Sequence, residues 1–120
     1  MSEDFIKRLL SEADTYLAKG DPVQASEKLY KVAEEAIKAL SKSFNLEEAW
    51  KAEEKGRWTI TLLEEAVRRL AEKLGIDVQL AWDAAMHLHV WGFHEAKLEI
   101  EDVKARKPLI LKLVKYMDME

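Results

Sequence analysis

Apolar residues recur at three- and four-residue spacing along almost the whole chain, the period of a helix with one buried stripe. Phe5, Ile6, Leu9, Leu10, Ala13, Tyr16 and Leu17 mark a first helix that Lys19-Gly20 ends. Asp21-Pro22-Val23-Gln24 then supplies an N-cap acceptor, a proline at the first helical position and a glutamine at the third. A second helix follows, with Ala25, Leu29, Val32, Ala33, Ala36, Ile37, Leu40 and Phe44 on its buried side. The two-residue connection favours an antiparallel hairpin. Asn45, in a cap-like position three residues before Glu48, opens a short bridging helix with Leu46, Ala49 and Trp50 that ends by Gly56. Leu62, Leu63, Ala66, Val67, Leu70 and Leu74 define the next helix, capped by Thr59 or Thr61 and closed by Gly75. Asp77 is the expected cap of the helix after it. In the last segment Val103, Ile110, Val114 and Met117 stay in phase across Pro108, which predicts one kinked helix. The pattern predicts an all-α fold: residues 1–120 as a single domain, an up-and-down antiparallel bundle of about five helices.

The helix from Val78 to about Ala96 departs from the one-stripe rule. Twelve of its 19 residues are apolar and only Asp83 and Glu95 carry full charge. Trp82, Ala85 and Leu88 address one neighbour, while Met86, Val90, Trp91 and Phe93 point elsewhere. A helix that is apolar all round must be buried all round, either as the central helix of its own bundle or against a second molecule. The size of the leftover surface in so small a bundle favours the second, with Met86, Val90, Trp91 and Phe93 as the expected dimer interface.

All three histidines, His87, His89 and His94, lie on this helix. A helical chelate takes ligands three or four residues apart, whereas His87 and His94 share a face about 10.5 Å apart, and His87 and His89 face nearly opposite sides. Asp83 and His87 alone have chelate spacing, and two ligands do not complete a zinc site. No metal or cofactor is therefore expected. The patch Asp83, His87, His89, His94 and Glu95 remains the candidate for any chemistry.

Composition sharpens the helical reading. Glycine and proline together make up only six of 120 residues, too few for a protein of many strands and tight turns. Glu and Lys account for 30 residues, and Asn and Gln for three, a bias also found in proteins of hyperthermophiles. The absence of cysteine excludes disulfides, thiolate metal sites and cysteine nucleophiles. No run of 18 apolar residues exists for a membrane span, and Met1-Ser2-Glu3-Asp4 is acidic where a secretory leader is basic, so a soluble, cytoplasmic protein is expected.

Charge adds one asymmetry. Between Val103 and Met117 there are five basic residues and no acid; with the whole chain at −4, the rest carries −9. Lys104, Lys107 and Lys115 lie close to one stripe and are the candidate nucleic-acid contacts. Glu27 with Lys31, and Glu34 with Lys38, have the spacing of surface ion pairs. Glycine-rich phosphate loops, nucleophile elbows and His-Glu-x-x-His helices are absent.

Two segments carry a family resemblance. Gly20-Asp21-Pro22-Val23-Gln24-Ala25-Ser26-Glu27-Lys28, running into Val32-Ala33-Glu34-Glu35-Ala36-Ile37-Lys38-Ala39-Leu40, resembles the second helix of the archaeal PaREP family of small, largely uncharacterised proteins. Ala85-Met86-His87-Leu88-His89-Val90 with Phe93-His94-Glu95 is similar to that family's Ala-x-x-Leu-His patch followed by an aromatic pair and Glu. His94 stands where the family pattern has Tyr. More distantly the chain resembles HEPN domains, helical bundles that usually dimerise and often accompany a nucleotidyltransferase in toxin–antitoxin systems. Active HEPN domains cleave RNA with an Arg followed four to six residues later by His. Here the last arginine before His87 is Arg69, so that motif is missing.

These readings predict a non-catalytic, dimerising helical protein that binds a partner, by resemblance a nucleotidyltransferase. The alternatives are nucleic-acid or nucleotide binding through the basic last helix, and a degenerate ribonuclease using His87 or His94 with Asp83 or Glu95.

Overall fold

The computed structural model describes residues 2–117 of the chain, and among them every regular element is helical. Six α-helices follow one another: α1 (Ser2–Lys19), α2 (Pro22–Ser43), α3 (Glu47–Lys55), α4 (Ile60–Leu74), α5 (Asp77–His87) and α6 (Ile100–Lys115). The fifth continues without a break into a π-helical segment, Leu88–His94. Among the described residues six α-helices stand where about five were expected, the short bridging helix being one of the six.

Local chemistry sets the boundaries. Gly20, at φ +72°, ends α1 in the left-handed region, and the Asp21 carboxylate accepts from the Gln24 amide at 3.1 Å to start α2. Thr59 caps α4 in the same way, its hydroxyl accepting from the Leu62 amide at 3.2 Å. Asp102 in the first turn of α6 reaches back to the Glu99 amide at 2.9 Å.

Two expected caps are corrected. Asn45 does not cap α3: it adopts a left-handed φ of +55°, a conformation Asn tolerates, and its side-chain oxygen accepts from the Trp50 indole at 3.0 Å. Asp77 does not cap α5 either. Ile76 already has helical dihedrals, so Asp77 sits inside the first turn, where its charge favours the helix dipole. α6 runs through Pro108 as one helix, although the proline has no N–H to give the carbonyl four residues back.

Glu12 and Lys28, each eight residues from Gly20, meet at 2.9 Å across the α1–α2 turn, which makes that pair antiparallel; the Trp82 indole donates to Glu64 at 2.7 Å and ties α5 to α4. The helix wrapped on most sides is α2, which packs against α1, α4, α5, α6 and the π segment. Its buried positions include Ala25, Ala33 and Ala36, whose small side chains let neighbours come close. Ile6, Leu29, Ile37, Leu70, Trp82, Leu88, Ile110 and Leu113 fill the core around it. Within a single chain the fifth helix is thus buried on one side only, so its own bundle does not enclose it. Ile76, Leu80, Val90 and Trp91 are exposed.

One carboxylate lies inside this framework. Glu48 is 1% exposed and takes a 2.8 Å hydrogen bond from Arg69 Nε on α4, tying α3 to the bundle. Burial pushes its carboxyl up, but the Arg69 guanidinium and a backbone hydrogen bond outweigh that and hold it below the ordinary value of 4.5. Glu48 therefore stabilises the fold fully above the unfolded-state value, and this contribution is lost as pH falls through the lower folded-state value. Glu48→Gln is expected to cost about 1–3 kcal/mol at pH 7. Urea denaturation at pH 7 and pH 3 should show the gap between variant and parent narrowing in acid.

Candidate functional site

Beyond His87 the helix widens. In an α-helix the positions of His89 and His94 are about 140° apart around the axis, because each residue turns 100°. From Leu88 the chain follows π-helical i→i+5 bonding, and the Glu95 amide closes the segment on the Val90 carbonyl at 2.8 Å. Residues five apart then lie about one turn apart on a common face. Ala96, at φ +54°, turns the chain out of the helix, and the Lys97 amide returns to the Trp91 carbonyl at 2.8 Å.

The consequence is a histidine pair that α-helical spacing excludes. His94 Nε2 lies 3.1 Å from His89 Nε2, with the rings edge to face at 84° and 4.5 Å between centroids. On the other edge of His89, Nδ1 is 2.9 Å from Glu27 Oε1 of α2. Tyr30, one turn further along α2, stacks on the His89 ring at 4.1 Å and 26°. Phe93 closes the aromatic row, 5.1 Å from His94 between centroids.

With Glu27 ionised and able only to accept, a neutral His89 carries its hydrogen on Nδ1 and presents the Nε2 lone pair to His94. Burial, reinforced by the Glu34 and Glu27 carboxylates, pushes the Tyr30 phenol well above its usual range, so it stays protonated. The arrangement is a carboxylate–imidazole–imidazole chain, inner end anchored in the bundle and outer end exposed.

Its anchor is a close backbone approach. A Cβ on Gly92 would overlap the Ser26 hydroxyl and come within 2.6 Å of Ser26 Cβ, so only glycine lets the π segment rest on α2 at this depth. The buried Ser26 hydroxyl has no hydrogen-bond partner among the described residues.

The expected patch divides. His89 and His94 come together; Asp83 and His87 lie on the outer face of α5, where the Asp83 carboxylate accepts from Gln79 at 3.0 Å. With Glu64, Met86, Val90 and Trp91 they line an open surface groove. Burial and then the Arg106 guanidinium lower the His87 imidazole below 6.5, against a smaller opposing pull from Asp102. Glu95 is exposed just past the π segment. Of the expected interface residues, Val90 and Trp91 are exposed, whereas Met86 and Phe93 are half-buried. Lys104 and Lys115 are exposed, but Lys107 pairs with Asp14 of α1 at 2.5 Å. Glu34 and Lys38 form their expected pair at 2.7 Å; Glu27 turns inward to His89 instead of pairing with Lys31. Among the described residues, no group of three or more His, Asp or Glu is placed to hold a metal.

The model of the archaeal PaREP1/PaREP8 family matches residues 3–114, nearly the whole described chain. The chain belongs to this family. Solved relatives share the fold: the crystal structure of a protein from Sulfolobus solfataricus superposes with a TM-score of 0.86 at 39% identity, covering 98% of this chain and 94% of that one. A solution structure of the same target, there called Orf c02003 protein, gives 0.81 at 40% identity, covering 98% of this chain and 88% of that one. No curated protein matches the chain significantly.

In this PaREP1/PaREP8 protein the seam between α2 and the π segment is set by Gly92. Gly92→Ala is expected to destabilise by about 1–3 kcal/mol, the usual cost of overpacking. Adding Ser26→Gly should recover part of that loss by clearing the space, less about 1 kcal/mol for a glycine inside α2. Thermal denaturation of the two variants checks this.

Proposed function

We propose that the chain is a non-catalytic, self-associating helical module whose dimer is built on the outer face of α5. The observation that carries this reading is the row of large apolar side chains facing solvent there: Ile76 at 66%, Leu80 at 46%, Val90 at 38% and Trp91 at 47% relative exposure. A row of that kind marks an interaction surface more often than bare solvent contact. The order of side chains favours a second copy as the occupant. Along the face run Leu80, Asp83, His87 and Trp91, apolar at both ends with an acid and an imidazole between. Laid antiparallel on itself about a two-fold axis near Ala85, the face sets Leu80 against the other copy's Trp91 and Asp83 against its His87. An isologous interface requires this self-complementarity.

The distant likeness to HEPN domains supports a further role for such a dimer, as the partner-binding half of a nucleotidyltransferase or toxin–antitoxin type pair. Nucleic-acid binding through α6 has less behind it, because Lys107 is engaged by Asp14 and acids crowd the first turn of α6.

Sedimentation equilibrium at neutral pH tests the dimer. The parent is expected to be dimeric, and Trp91→Glu to weaken association by about 100-fold or more, as loss of a central aromatic anchor does, with an unchanged helical spectrum. The exchange Asp83→His with His87→Asp should keep the dimer. A monomeric parent, or a dimer indifferent to Trp91→Glu, contradicts the reading.

A further inference from the structure

We propose that His89 and His94 form a binding site for a single late first-row divalent metal ion, Cu2+ or Ni2+ in preference to Zn2+, held between their Nε2 atoms. This inference is independent of the dimer.

Three observations converge on it. The first is distance. Two imidazole nitrogens each about 2.0–2.1 Å from one ion, at angles between square and tetrahedral, stand about 2.9–3.4 Å apart. The two Nε2 atoms stand 3.1 Å apart. Because the His89 lone pair already points at His94, an ion about 2.0 Å out on that line requires the exposed His94 ring to swing aside through its side-chain torsions and bring its own lone pair round.

The second is the carboxylate behind His89. Metal-bound imidazoles almost always donate their other N–H to a carboxylate or carbonyl, which fixes the tautomer and raises the basicity of the ligating nitrogen. Glu27 Oε1 occupies that place at 2.9 Å from Nδ1. Because Glu27 accepts there, His89 Nε2 is left with its lone pair directed at His94. In the metal-free protein His94 must meet that lone pair with its own Nε2–H. Metal binding replaces this hydrogen bond: the His94 proton moves from Nε2 to Nδ1 by exchange with solvent, and both lone pairs then serve the ion. No net proton is gained or lost.

The third is rigidity. Tyr30 stacks on the His89 ring at 4.1 Å, and the π segment that fixes the separation of the two histidines rests on α2 through Gly92. One ligand is thus preorganised and the second is free to close.

With two protein ligands the remaining coordination positions face water, which makes this an open site able to take a small anionic ligand. Two neutral imidazoles suit nitrogen-preferring ions, and affinity rises from Ni2+ to Cu2+ and falls again at Zn2+.

The test is a titration of the full chain, purified without a histidine tag and stripped with chelator, using CuCl2, NiCl2 and ZnCl2 at pH 7.5. Calorimetry is expected to show one Cu2+ and one Ni2+ per chain, with Zn2+ weaker, and the Cu2+ electron paramagnetic resonance spectrum to show splitting from two imidazole nitrogens. His94→Gln, at an exposed position that leaves the core untouched, should abolish the two-nitrogen signature. Glu27→Gln should weaken binding about 10-fold or more, the range expected when a hydrogen-bond partner behind a ligand is lost. His87→Gln, which touches only the outer face of α5, should leave the Cu2+ affinity and the two-nitrogen spectrum unchanged. Absence of saturable 1:1 binding, a site unaffected by His94→Gln, or equal loss with His87→Gln would overturn the assignment.

Discussion

The closeness of one backbone contact organises this molecule. At Gly92 the π segment lies against Ser26 of α2 with no room for a methyl group, and the position of everything beyond His87 follows from that. If the π segment stood further off, Glu27 could not reach His89, and Tyr30 could not stack on its ring. The contact also accounts for the buried Ser26 hydroxyl that finds no partner. A seam packed this tightly leaves no side chain within reach to satisfy it. The bundle tolerates this unpartnered oxygen because the surrounding apolar burial, from Leu29 and Leu88 among others, outweighs it.

The π geometry translates that contact into chemistry. Widening the helix by one residue per turn costs hydrogen-bond quality, and π segments are accordingly rare and short. Here it changes which residues are neighbours. Two histidines that would face different directions share a face, and a carboxylate from another helix orders their protons. The outer side of the same helix carries a separate surface, with Asp83 and His87 between exposed apolar residues. A single element thus presents a polar cluster to α2 and an apolar row to solvent, and the two can act independently.

Most of the fold could be read from the chain, because it rests on local signals. Asp21-Pro22 and Thr59 announce helix starts whose chemistry involves neighbours three residues away. The buried stripes of α1, α2 and α4 follow the 3.6-residue period. Membership of the PaREP1/PaREP8 family was legible in the second helix and in the histidine patch. What local signals could not give was the interior of the fifth helix. Spacing alone does not show which of its apolar residues its own bundle covers, because the helical phase changes at Leu88: Trp82 and Leu88 belong to the core, Val90 and Trp91 to the surface. Glu27 and Tyr30 escaped notice for a related reason. Spacing alone made Glu27 a surface partner for Lys31 and left Tyr30 off the buried stripe, and only the tertiary approach at Gly92 brings both to His89. Glu48 likewise has the composition of a solvated acid and the environment of a buried one.

The account stands or falls on the proton order in the Glu27–His89–His94 chain. Long-range 1H–15N correlation of the imidazole rings at pH 8, assigned with His94→Gln and His89→Gln samples, reads it directly. His89 should appear as the Nδ1–H tautomer with an unprotonated Nε2, because Glu27 in its ionised form can only accept. An Nε2–H tautomer at His89, or rapid exchange between the two forms as in a free imidazole, would mean that Glu27 does not hold the ring and that the seam does not build a site.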